Sequence, residues 1–314
     1  MEFGVIVPQG WRMDLVGISD PGDAYEAMSR VAKQAEELDF ASIWLYDHLH
    51  NVPQPVQEIT FECWISTAAL ARDTQRIRVG QIVTCNGYRN PALLAKMAST
   101  VDALSHGRLV FGIGAGWYEH EYNAYGYGFP ETKERLARLQ EAVQVILALW
   151  TQEEAQFEGK YYQVSGAINQ PKGVQKPHIP LLVGGGGEKV TLKIVAQYAD
   201  ACNIGGDSRT IRHKLEVLKQ HCENVGRDYN QIKRTSSISY CALAPTLTEA
   251  EAMFSPEELE RVRAKESYFI GTPAQMRERI AEYEDLGIQE LMLHFVDTAT
   301  NPETLRLFKE ECMR

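Results

Sequence analysis

A (β/α)8 barrel spanning residues 1–314 is the fold this sequence predicts, and three observations predict it. Eight short apolar runs alternate with longer amphipathic segments, the links between them are short, and no low-complexity stretch divides the chain. The runs are FGVIV (3–7), SIWLY (42–46), RVGQIV (78–83), RLVFGIG (108–114), PLLVG (180–184), ACNI (201–204), SISYCAL (237–243) and ELMLHF (290–295). Most are continuously apolar, as parallel strands buried on both faces must be. An open, doubly wound sheet is the alternative that this pattern also permits.

The helices between the runs are marked by periodicity and by caps. In residues 131–150, Leu136, Leu139, Val143, Ile146, Leu147 and Trp150 recur at helical spacing, giving one packed and one solvated face. Thr272 and Ser255 are each followed by proline and, three residues on, by Gln275 or Glu258, the signature of a capping box. Asn90-Pro91 and the stretch Thr248–Glu251 read similarly. Two segments exceed a minimal barrel: QFEGKYYQV (156–164) reads as a hairpin, and residues 244–268 carry extra helix. Insertions on barrel loops usually serve the active site.

Composition narrows the functional classes. With 44% apolar and 24% charged residues among 314, the chain reads as an ordinary globular protein. A formal net charge of -10 argues against nucleic acid and anionic membrane as partners, since both demand a basic footprint. No leader-like segment opens the chain and no run approaches the length of a membrane span, so a cytoplasmic setting is expected. The six cysteines, Cys63, Cys85, Cys202, Cys222, Cys241 and Cys312, lack metal-finger spacing and read as reduced, buried thiols; no metal site is indicated.

Chemistry in such barrels sits at the C-terminal ends of the strands. The second run ends in Tyr46-Asp47-His48, an acid beside a histidine that can bind a polar ligand and move a proton or simply form a solvated turn. The third leads into Thr84, Cys85 and Asn86, which would line the mouth. The fifth ends in Gly184-Gly185-Gly186-Gly187 ahead of a helical segment, a context that suits phosphate. Lys189 and Lys193 stand ready to supply positive charge there or to lie on a solvated helix face. In RLVFGIGAGWYE, Gly112, Gly114 and Gly116 fall at positions 1, 3 and 5, so the dinucleotide fingerprint fails at its own spacing.

Taken in order, YDH after the second run, VGQIVTCNGYRNPALLAKMASTVDALSHGRLVFGIGAGW across the third and fourth, and LLVGGGGEK after the fifth resemble the bacterial luciferase-like family, within it the oxidoreductases that use the deazaflavin coenzyme F420. The resemblance implies a barrel of the luciferase-like type with loop insertions, a hydride transferred between F420 and a small organic substrate, and a homodimer. Reduced FMN in a monooxygenase, or a deazaflavin-binding protein without catalysis, are the alternatives. It implies His48 as the proton donor or acceptor and Asp47 as a coenzyme contact. Ile82, Val83, Thr84, Cys85 and Asn86 would bind the coenzyme, the first two through a cis peptide that bulges toward its central ring. Ala115, Gly116 and His120 would contact the coenzyme after the fourth run, with the glycines giving it close approach, and Gly185, Gly186, Gly187 and Glu188 would hold its phosphate. Trp117, with Tyr118, Tyr122 and Tyr125, would shape an apolar substrate wall or pack the loop. In the glucose-6-phosphate dehydrogenases of this family a glutamate stands where Trp117 stands here, and a substrate-phosphate threonine where Gly205 stands. A sugar phosphate is therefore not the expected substrate.

Overall fold

In the computed structural model, which describes residues 1–265 and 267–313, the eight runs form eight parallel strands. These are β1 (Glu2–Ile6), β2 (Ser42–Leu45), β3 (Arg78–Gln81), β4 (Leu109–Gly114), β5 (Leu181–Gly184), β6 (Ala201–Asn203), β7 (Lys233–Leu243) and β8 (Glu290–Phe295). Each pairs with the next and β8 pairs with β1, so the sheet closes and the open-sheet alternative is excluded. Strand β7 begins four residues before the apolar run does, because Thr235 and Ser236 are buried polar residues whose hydroxyls donate to the carbonyls of Cys202 and Ile204.

Eight helices cover the barrel: α1 (Pro21–Glu37), α2 (Cys63–Asp73), α3 (Pro91–Leu104), α4 (Thr132–Thr151), α5 (Thr191–Tyr198), α6 (Ser208–Val225), α7 (Pro273–Asp285) and α8 (Glu303–Cys312). The capping boxes at Ser255 and Thr272 form, and Asn90 accepts the amide of Ala92. The box expected near Thr248 is instead made by Thr246 with Glu249. The expected hairpin is present as antiparallel strands Ala155–Glu158 and Gln163–Ala167. The insertion at 244–268 holds two short helices, Leu247–Glu251 and Pro256–Arg263; Glu266 lies outside the described residues.

Strand alternation sorts the core into two compartments. Val5, Ile43, Leu181 and Leu293 face the helices, while Ile6, Trp44, Leu182 and Met292 share a separate cluster inside the barrel. The N-terminal end of the barrel is closed by polar first residues of the strands. Buried Glu290 binds Ser42 and Lys233, and Glu2 pairs with Arg78 and Lys233 at 2.5 Å. Polar order at that end reads as stability, which leaves the other end for chemistry. All six cysteines are buried and unpaired.

Candidate active site

At the C-terminal mouth the loops after β1, β2, β3 and β4 enclose a cavity of about 250 Å³. His48 is 9% exposed there and stacks on Trp11, with centroids 4.1 Å apart and planes 3° from parallel. Its Nδ1 lies 2.8 Å from Oε2 of Glu121, a carboxylate with no exposure at all. Glu121 is over-determined. Its Oε1 accepts the amides of Leu49 (2.7 Å) and His50 (2.8 Å), and its Oε2 also accepts the hydroxyl of Tyr88 (2.5 Å). Burial pushes the Glu121 carboxyl up, but bonds from His48, Tyr88 and the His50 amide outweigh it and hold the group below the ordinary value of 4.5. An ionised Glu121 accepts only, so His48 Nδ1 must carry hydrogen, and Nε2 is left without a protein partner among the described residues.

Asp47 lines the same cavity, buried beside His48, and its carboxylate is held by protein donors. It receives a bidentate pair from Arg89, at 2.7 and 3.0 Å, and the Cys85 amide at 2.8 Å, while Arg89 also binds Glu62. The acid thus fixes the loop of residues 84–89 against the end of β2. Cys85 lies 3.0 Å from the hydroxyl of buried Tyr122, and burial pushes its thiol up to about 12. Tyr122, buried, borders only the neighbouring cavity described below, while Tyr118 and Trp117 line this one; Trp117 keeps 62% of its surface exposed. Tyr125 lies outside, against His50 and Tyr127.

The glycines of this stretch lie close against other parts of the chain. A Cβ on Gly112 would sit 1.9 Å from the carbonyl oxygen of Gln81. On Gly114 or Gly184 it would sit 2.7 Å from the methyls of Val83. On Gly116, at φ +80°, it would sit 2.2 Å from the hydroxyl of Tyr122. These glycines make room for protein: three of them admit the segment after β3, where the Ile82–Val83 peptide is cis.

The remaining expected residues divide. Ile82, Val83, Thr84, Cys85 and Gly116 line the 250 Å³ cavity. Asn86 and Ala115 line a neighbouring one of about 340 Å³, which shares Tyr88 with the first and adds Arg135, Arg138 and Tyr162. His120 is placed outside both, exposed beside His50. Gly185, Gly186, Gly187 and Glu188 form an exposed loop after β5, and α5 begins only at Thr191, so the expected helix start at Glu188 is a turn. Glu188 is occupied by His213 (3.2 Å), and the lysine beside Gly186 is Lys214, in place of the expected Lys189 or Lys193. Glu121, Tyr88, Arg89, Trp11 and Arg12 were not legible as site residues. The only local hint of Glu121 was an acid in the first turn of the short helix Glu119–Ala124.

No group of three or more His, Cys, Asp or Glu placed to hold a metal occurs among the described residues, nor any helix long and apolar enough to cross a membrane. The chain is 30% identical to the F420-dependent glucose-6-phosphate dehydrogenase of Kineococcus radiotolerans, over 84% of this chain and 85% of that protein. It is 28% identical to the enzyme of the same name from Gordonia bronchialis, over 88% of each. Among solved structures it superposes on a monooxygenase from Streptomyces bottropensis with a TM-score of 0.81 at 22% identity, covering 100% and 99% of the two chains. An F420-dependent secondary alcohol dehydrogenase matches with the same score at 20% identity, over 99% and 98%. The family model described as luciferase-like monooxygenase matches residues 1–264, and with a closed barrel whose mouth carries the expected YDH and VTCN segments, the chain belongs to that family.

Proposed function

We propose that this protein is an oxidoreductase that passes a hydride between coenzyme F420 and a small organic substrate, with His48 moving the accompanying proton. The observation that carries the reading is the fixed tautomer of His48: Glu121 holds Nδ1, and Nε2 is the ring nitrogen left for chemistry. In reduction of a carbonyl, Nε2 gives its proton to the substrate oxygen; in oxidation of an alcohol it takes that proton. Trp11 keeps the imidazole plane in place by stacking, and Trp117 and Tyr118 limit water at the rim.

The residues present fit a deazaflavin. Among the described residues Thr84 Oγ1, Asn86 Oδ1 and Trp11 Nε1 are buried at the mouth without hydrogen-bond partners, a mixed set of donors and acceptors suited to a ring edge bearing carbonyl and N–H groups. When bound, the coenzyme supplies or accepts the hydride. Backbone of the loop 185–187, with Lys214 beside Gly186, would hold its phosphate. F420 is favoured over FMN because the relatives at 28–30% identity across more than four-fifths of the chain are named as F420 enzymes.

Fluorescence titration with F420 and FMN side by side tests the coenzyme, and tighter FMN binding would move the protein to the monooxygenase reading. His48→Ala should lower turnover about 100-fold or more and leave F420 affinity within a few-fold. A collapse of affinity with intact turnover at saturation would make His48 a binding residue instead. A cytoplasmic homodimer belongs to the same reading. Ile65 and Leu93, exposed apolar residues on the neighbouring helices α2 and α3, offer surface for a second copy, which sedimentation velocity would detect.

A further inference from the structure

Arg12, in the loop after β1, lines the same cavity as His48. Its guanidinium carbon lies 4.4 Å from the Trp11 ring centroid, 4.8 Å from that of Tyr240 and 5.6 Å from that of Tyr46. Its Nε is enclosed and makes no hydrogen bond. Among the described residues it forms no ion pair, and the acid nearest in sequence is already engaged: Asp14 accepts the Gly10 amide at 2.6 Å and pairs with His294 Nε2 at 2.8 Å. The titratable groups that face Arg12 are the phenols of Tyr46, Tyr240 and Tyr268; Tyr46 and Tyr240 bond to it, and burial holds both above the ordinary phenol value, so they supply no charge. A permanent cation held in an aromatic cage without a counter-charge is costly unless a ligand supplies the charge.

We propose that Arg12 is a specificity-determining residue that binds a carboxylate on the substrate, so that the enzyme acts on small, flat organic acids bearing the reacting carbonyl or hydroxyl at their other end. The proposal rests on reading this cavity as the substrate site of the oxidoreductase. Arg12 and His48 line one cavity of about 250 Å³, so a small molecule that fills it can touch both groups. The planar guanidinium matches a carboxylate through two parallel bonds, and a single cation suits a monoanion better than a phosphate dianion. Two aromatic pairs, Trp11 with Tyr46 and Trp117 with Tyr118, line the cavity, which favours a flat body between the charged end and the reacting end.

The test is a tryptophan-fluorescence titration of the full chain, free and F420-saturated, with benzoate, benzamide and phenyl phosphate. Benzoate should bind about 10-fold or more tightly than benzamide, and Arg12→Gln should erase that difference while leaving benzamide and F420 affinities within a few-fold. Should Arg12→Gln not fold, as judged by circular dichroism, Arg12→Lys keeps the charge and loses the fork, and should weaken benzoate by about 3- to 10-fold. Equal binding of benzoate and benzamide by the wild type overturns the proposal. So does phenyl phosphate binding more tightly than benzoate, or an Arg12 variant that loses F420 rather than benzoate, which would make Arg12 a coenzyme ligand. Failure of the wild type to bind F420 sinks the coenzyme reading alone, because the benzoate and benzamide arms with free protein still report on Arg12.

Discussion

Replacing Glu121 by glutamine tests whether the tautomer of His48 is what the site is built to hold. The carboxylate accepts four bonds, from His48 Nδ1, the amides of Leu49 and His50, and the hydroxyl of Tyr88. A glutamine oxygen can keep the two amides, but its NH2 then faces Nδ1 as a donor. His48 must accept at Nδ1 and carry its hydrogen on Nε2, so the neutral ring can no longer take a proton from substrate. Loss of one acid–base group is worth about 10²- to 10⁴-fold in turnover. Exchanging charge-assisted for neutral bonds at a fully buried site should cost about 2–4 kcal/mol of stability, since bonds to charged groups contribute about 1.5–3 kcal/mol against about 1 for neutral ones. The assays are turnover at saturating coenzyme and urea denaturation. F420 affinity should stay within a few-fold. Wild-type turnover in the glutamine variant would refute the tautomer argument outright. The stability difference also has a required pH course. The folded state depresses the carboxyl, so the wild-type advantage should be complete above about pH 5 and shrink as pH falls through and below the ordinary carboxylate range near 4.5.

Gly112→Ala places a methyl carbon 1.9 Å from the Gln81 carbonyl oxygen, so it should destabilise the barrel by about 3 kcal/mol or more or prevent folding; a change in urea midpoint within error would count against the close approach of β3 and β4. Asp47→Ala leaves Arg89 with Glu62 alone and should cost about 3 kcal/mol, read by urea denaturation, with little loss expected if the acid were a mere ligand contact. Cys85, its thiol held up to about 12, should resist iodoacetamide at pH 8 in the native protein and react fully in urea, as peptide mass spectrometry would show.

The architecture was legible because it is written locally. Val5, Ile43 and Leu293 face the helices while Ile6, Trp44 and Met292 fill the barrel, so each strand is apolar on both sides and stands out as a run. Capping boxes announce themselves within four residues. What the site needs is non-local, and those parts were hidden. Glu121 lies 73 positions from His48, and nothing near it in sequence distinguishes it from its exposed neighbour Glu119. The glycines of β4 were visible as glycines, but their reason is the chain after β3, which only the closed sheet brings against them. Asp47 was found for its position, while its partner Arg89, 42 positions on, reaches it from across a loop and was hidden.

The socket formed by Gly112, Gly114 and Gly184 around Val83 divides the mouth into a part that can evolve and a part that cannot. Backbone of β4 and β5 closes on the one side chain of Val83 with no spare room, so any enlargement on β4 or β5, or at Val83 itself, must be answered by a compensating change elsewhere in the socket. Trp117 and Tyr118, a few residues beyond the same glycines, press on the cavity from a rim where the indole is largely in water. Diversification of substrate range should therefore travel through single replacements at 117 and 118, and a library built on those two positions should keep folded members far more often than one built on the floor.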